Sequence, residues 1–139
     1  MQKMKPYYLV ILLIFLFNGC KEKPLIHVYD KSIRTEPPTC LALSVFPQND
    51  AMESVLKKRY TFTPSCPYRL EVSYKNGIHC NSNQNSQIKA LAGMPKSYLR
   101  LEIRRGLSLQ YSYYIDLAGD ATAEDVEEGF EEIVSDLGM

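Results

Sequence analysis

Cysteine and histidine are the side chains here that could attack a substrate or grip a metal, and the chain has 4 of one and 2 of the other. Only His79 and Cys80 are adjacent. A thiol beside an imidazole begins a nucleophile–base pair, provided that the two side chains meet. They stand in an extended stretch, where neighbours point to opposite faces, so the pair is not expected to form. His27 falls in a segment read as a tether. Cys40, Cys66 and Cys80 have neither CxxC nor zinc-ligand spacing. The chain contains no GxSxG, no HExxH and no Gly-rich phosphate loop. Its acidic end lacks the Asp-Gly spacing of a calcium loop. The expectation is a protein that is not an enzyme, with no catalytic residues, no metal and no cofactor.

Cysteine has two other uses, lipidation and disulfide formation. Cys20 closes a segment that opens with Lys3 and Lys5 and continues through nine apolar residues, Leu9 to Phe17, to Asn18-Gly19. Basic, apolar, then small is the layout of a secretory signal peptide. The apolar run is short of the about 20 residues that span a bilayer. With a cysteine at the cut, the segment resembles the precursor of a bacterial lipoprotein, Phe17 standing where that family has Leu. The resemblance implies that residues 1–19 are removed, that Cys20 carries lipid, and that the protein faces the periplasm from a membrane. Lys21 follows the cysteine. In families whose sorting reads that position, Asp retains the lipoprotein at the inner membrane, so the resemblance implies the outer membrane.

Once Cys20 is lipidated, Cys40, Cys66 and Cys80 remain, and three thiols cannot all pair internally. Export to an oxidising compartment allows a disulfide. Cys40 precedes the first predicted strand and Cys66 the second. If those strands are parallel neighbours, both cysteines start at the same edge, and Cys40–Cys66 is the expected bridge. Cys66 and Cys80 would lie at opposite ends of one strand unless Asn76-Gly77 reverses the chain.

The elements that must position these residues follow from periodicity. Lys21 to Pro38 is charged and Pro-broken and reads as a tether over 20–39, with Leu25 to Tyr29 a candidate edge strand. Leu41 to Phe46 is a strand with Leu41, Leu43 and Val45 on one face. A helix runs from the Asn49/Asp50 cap to about Tyr60. Tyr68 to Tyr74 is a strand with Leu70 and Val72 inward. Asn76-Gly77 is either a hairpin turn or a bulge. Asn81 to Gln87 is a polar loop, and Ile88 to Ala92 has room for a helical turn. Tyr98 to Arg104 alternates strictly, Arg105-Gly106 fits a tight turn, and Leu107 to Leu117 alternates again, with Leu107, Leu109, Tyr111 and Tyr113 on the apolar side. The last helix combines a Thr122/Asp125 capping box with an apolar stripe through Val126, Gly129, Phe130, Ile133, Val134 and Leu137. The order is β-α-β-(β)-β-β-α. Two layers satisfy it: an α+β sandwich, two helices on one face of a mostly antiparallel four- or five-stranded sheet. Leu41, Leu70, Val72, Leu101, Ile103, Leu109, Tyr111 and Phe130 are the expected core of one domain over 40–139.

Charge narrows the partners. The precursor has 16 basic and 16 acidic side chains; loss of Lys3 and Lys5 leaves 14 and 16. That balance does not suit a nucleic-acid binder. Nine acidic residues and no Lys or Arg lie from Asp116 onward, so the domain is expected to be polarised. Arg69, Arg100 and Arg104 fall on the outward side of their strands, and the planar guanidinium suits an anionic or protein partner. The outline over 40–138, with the lipidated start, is similar to small envelope lipoproteins such as the lipopolysaccharide-assembly lipoprotein family and auxiliary lipoproteins of lipid transport. The likeness is one of element order and transfers no residue role. It implies a non-catalytic envelope lipoprotein, a binding or assembly subunit on the periplasmic side, with an anionic lipid-binding or lipid-transport accessory as the alternative.

Overall fold

The computed structural model describes residues 22–78 and 95–139. Five strands form one sheet: β1 (Leu25–Val28), β2 (Ala42–Phe46), β3 (Tyr68–Lys75), β4 (Ser97–Arg105) and β5 (Ser108–Leu117). Among the described residues three helices accompany them: α1 (Ser32–Thr35), α2 (Asp50–Arg59) and α3 (Ala123–Leu137). The strand order is β1-β5-β4-β3-β2. β2 runs parallel to β3, as a β-α-β crossover requires, and the other pairs are antiparallel. The fold is the α+β sandwich that the sequence predicts, with a short extra helix.

Local chemistry explains the two long helices. Asn49 Oδ1 accepts from the N–H groups of Ala51 and Met52, each at 3.1 Å, which caps α2. Lys57, Lys58 and Arg59 fill its last turn, where the dipole favours cations. In α3 the capping box closes: Asp125 N–H donates to Thr122 Oγ1 at 3.3 Å and Thr122 N–H to Asp125 Oδ2 at 2.8 Å. The α3 stripe buries Val126, Phe130, Ile133 and Leu137 against the sheet. Gly129 allows the close approach, since a Cβ there would sit 2.9 Å from the Tyr113 ring. Tyr60, Phe62 and Phe130 join α2 to α3, with ring centroids 5.0 to 6.0 Å apart.

Two expectations change. Leu109 is not a core residue, and Leu107 is 97% exposed in the β4–β5 turn. The turn takes Gly106 and Leu107, so Ser108 opposes Arg105 and Leu109 opposes Arg104. Continued without interruption, that register would turn Tyr111 and Tyr113 to solvent. An extra residue, Gln110, is inserted as a bulge, and Tyr111 then opposes Ile103 on the buried face. The second change concerns the tether over 20–39. From Leu25 onward this chain is built into the domain. Ile26 and Val28 pack against the core, and Ile33 of α1 is buried. Three apolar side chains within eight residues outweigh the Pro-rich flank.

Asn76-Gly77 is no hairpin. Gly77 takes φ 62°, and beyond it Ile78 N–H donates to Lys96 O at 2.7 Å, alongside the same neighbouring strand. Cys20, the His79–Cys80 pair, the Asn81–Gln87 loop and the Ile88–Ala92 turn lie outside the described residues.

Candidate functional site

Both long helices pack on one face of the sheet and leave the other open. Alternation along each strand decides what the open face carries. Register assembles it into rows across the strands. One row runs Phe46, Ser73, Arg100, Tyr114, Leu25. The next runs Ser44, Glu71, Glu102, Ser112, His27. A third runs Ala42, Arg69, Arg104, Leu109. The three arginines singled out from sequence are thus brought onto one surface, opposite the helices.

They are not idle. Arg69 and Arg104 are directly opposed, and so are Glu71 and Glu102. Like charges across a ladder destabilise it unless the diagonals compensate. Here they do. Arg69 pairs with Glu71 in its own strand. Arg104 bridges Glu71 at 3.0 Å and Glu102 at 2.7 Å. Arg100 Nε lies 3.3 Å from Glu102 and donates to Ser73 Oγ at 3.2 Å. The side chain of Glu102 is only 9% exposed, so its two guanidinium partners replace most of its water. Its hydrogen bond also pushes the Arg104 guanidinium further up, and that cation stays charged at any working pH. The terminal nitrogens of Arg100 have no hydrogen bond among the described residues, which makes it the least committed of the three.

The first row shows what sequence reasoning missed. Phe46 is 75% exposed and Leu25 is 63% exposed, both on the open face. Beside them Tyr98 and Tyr114 stack with centroids 5.7 Å apart and 23° between planes. Tyr114 Oη donates to Asp116 Oδ1 at 2.8 Å. The outward parity of Phe46 and Tyr114 was readable from alternation. That all of them share one end of one face required the strand order.

The remaining ionic groups serve the fold. Arg34 of α1 donates to both oxygens of Asp136 in α3, at 3.0 and 2.9 Å, and Tyr111 Oη donates to the same carboxylate at 2.9 Å. The Arg34 hydrogen bond chiefly holds the Asp136 carboxyl below its ordinary range, against the opposing effect of burial. Arg59 pairs with Glu127 and Glu131. Three carboxylates of α3, Glu127, Glu131 and Asp136, are therefore answered by cations of α1 and α2, on the face away from Arg69, Arg100 and Arg104. Cys40 and Cys66 are bonded, with Cα atoms 5.9 Å apart. A shallow cleft of about 420 Å³ beside the bridge is lined by Lys57, Phe62 and Arg69 among others. No cluster of three His, Cys, Asp or Glu side chains suited to a metal occurs among the described residues. No helix there is long and apolar enough to cross a membrane.

No protein family, curated protein or solved structure matches the chain.

Proposed function

We propose that this chain is a lipid-anchored envelope protein without catalytic activity, held at the periplasmic side of the outer membrane by Cys20, and that its open sheet face docks a protein partner. The observation that carries the reading is the uncovered face itself: an ordered lattice of Arg69, Arg100 and Arg104 around two carboxylates, with the helices and their acidic surface behind it. Such a lattice presents guanidinium groups in fixed positions, so less side-chain entropy is lost on docking. The Cys40–Cys66 bridge supports an oxidising compartment. The second reading, an anionic lipid headgroup, is favoured by Arg100, whose free terminal nitrogens suit a phosphate.

Affinity capture from solubilised membranes, wild type against Arg69→Ser/Arg100→Ser, tests the docking face. This pair is chosen because Arg104 still answers both Glu71 and Glu102. The expected result is a folded variant that recovers markedly less of a specific partner. Full recovery of every partner by the folded variant would reduce this face to solvated surface. Undiminished partner recovery, together with binding of delipidated protein to phosphatidylglycerol vesicles that Arg100→Ser abolishes, would favour the lipid reading instead.

A further inference from the structure

The two ends of the open face differ, and the chain entering the domain says which end meets the membrane. Leu25 follows Cys20 by five positions. A fully extended chain covers at most about 3.3–3.6 Å per residue, so Leu25 stays within about 18 Å of a lipidated Cys20. Leu25 opens β1 beside Tyr114, at the end where β2 finishes in Phe46. That row, with the Tyr98–Tyr114 stack next to it, gathers exposed Leu25 and Phe46 and the half-buried rings of Tyr98 and Tyr114 on one surface. Tyrosine rings and apolar anchors at the bilayer–water boundary are what an interfacial contact uses. The row itself contains no carboxylate; Asp116, across the ladder from Tyr98, is held by the Tyr114 hydroxyl at 2.8 Å and stays at the wet rim of the patch. The row's one charge is Arg100, whose Nε is held by Ser73 and Glu102 while its terminal nitrogens remain available to lipid phosphate. The carboxylates Glu71 and Glu102 lie in the adjoining row, further from β1's start, where a leaflet would cost them water.

We propose that the Phe46–Leu25 row and the Tyr98–Tyr114 stack rest on the leaflet that holds the Cys20 lipid, tilting the domain so that Arg69, Glu71 and Arg104 are raised toward the periplasm. The inference rests on the lipid-anchored reading. It adds an orientation: one anchor is covalent and the other is the sheet itself. A flexible leash would leave the docking face free to turn in any direction. Two contacts leave the charged rows turned toward a partner approaching from the periplasm.

The chain has no tryptophan, so one introduced indole reports alone. Phe46→Trp and Leu107→Trp are each purified from membranes as the mature protein and reconstituted into phosphatidylethanolamine–phosphatidylglycerol vesicles carrying nitroxide-labelled headgroups. Leu107 is the control, since at about 3.3 Å per residue it lies roughly 20 Å along β5 from Tyr114. The expected result is a blue-shifted Phe46→Trp variant quenched by the nitroxide roughly threefold or more beyond Leu107→Trp, because interfacial depth governs contact with the label. Mass spectrometry of the N-terminal peptide from the same preparation reads Cys20. Acylated Cys20 with equal quenching in both variants overturns the inference and leaves the anchored reading standing. Unmodified Cys20 overturns both. An indole at position 46 that stays in water on vesicles, yet is shielded by a membrane protein, assigns the row to protein docking and also overturns the inference.

Discussion

The two faces of this sheet solve the same problem with opposite means. On the helix-covered face, Leu70, Val72, Leu101 and Ile103 lose nearly all contact with water and close against α2 and α3 by shape. On the open face the same strands carry Arg69, Glu71, Arg100, Glu102 and Arg104, and closure comes from charge alternating along the diagonals. Apolar fit tolerates no missing volume, because little can move in to fill it. An ionic lattice in contact with water tolerates the loss of a peripheral member and fails only where a carboxylate is nearly dry. The open face can therefore carry a binding function that the covered face cannot.

The sharpest way to test this contrast is to remove one residue from each face. Leu101→Ala, at the centre of β4, should lower stability by about 2–5 kcal/mol through lost transfer energy and the cavity left behind. Urea unfolding measures it. On the other side of the same strand, Arg104→Ala should cost about 1–2 kcal/mol, because it strips the strongest partner from nearly buried Glu102. Equal losses in the two variants would dissolve the distinction between the faces.

A weaker effect comes from the rim, where Asp136 joins α1 to α3. Asp136→Ala should cost about 1 kcal/mol at neutral pH, since Tyr111 and Arg34 both lose their acceptor. Arg34 and Tyr111 hold the native carboxyl below its ordinary value, so the unfolded chain binds that proton more readily. The contribution is then complete above about pH 4, near the unfolded value, and is lost as acidification passes through the depressed native one. Stability curves of wild type and variant should run parallel from neutral pH and converge in acid. Convergence on raising the pH would contradict the assignment. The smallest effect belongs to Arg100→Ala, within about 0.5 kcal/mol, because Arg104 keeps Glu102 answered. A larger loss would mean that Arg100 holds the sheet together rather than facing a partner.

Much of this was legible in the residues, and the reason differs by element. α3 announced itself because its stripe and its capping box agree on one helix. The Cys40–Cys66 bridge followed from the parallel crossover, which brings the starts of two strands to one edge. β4 was plain because each of its faces has one character. The bulge at Gln110 was not legible, since local alternation through Leu107 and Leu109 looks unbroken. Only tertiary structure supplies its reason. β1 and α1 were obscured because Ile26, Val28 and Ile33 sit singly among polar residues and prolines. The Phe46–Leu25 row joins residues from opposite edges of the sheet, a relation that exists only once five strands are ordered. The pairing of Arg104 with Glu71 and Glu102 likewise depends on which residue stands across the ladder.

Gln110 has a further consequence. Its carbonyl accepts from the N–H groups of both Tyr29 and Asp30, at 2.9 and 3.2 Å, just where β1 gives way to α1. The hairpin of β4 and β5 does not itself require the spare residue. With Gln110 excised, Leu109 and Tyr111 would still alternate correctly against Arg104 and Ile103. What would vanish is the mooring point for the strap that crosses from the sheet edge to α3. The irregularity in one hairpin is thus a fastening for another part of the chain: a shortened β5 would keep its own pairing and its ladder with β1, and lose the two bonds that hold Tyr29 and Asp30 where the strap leaves the sheet.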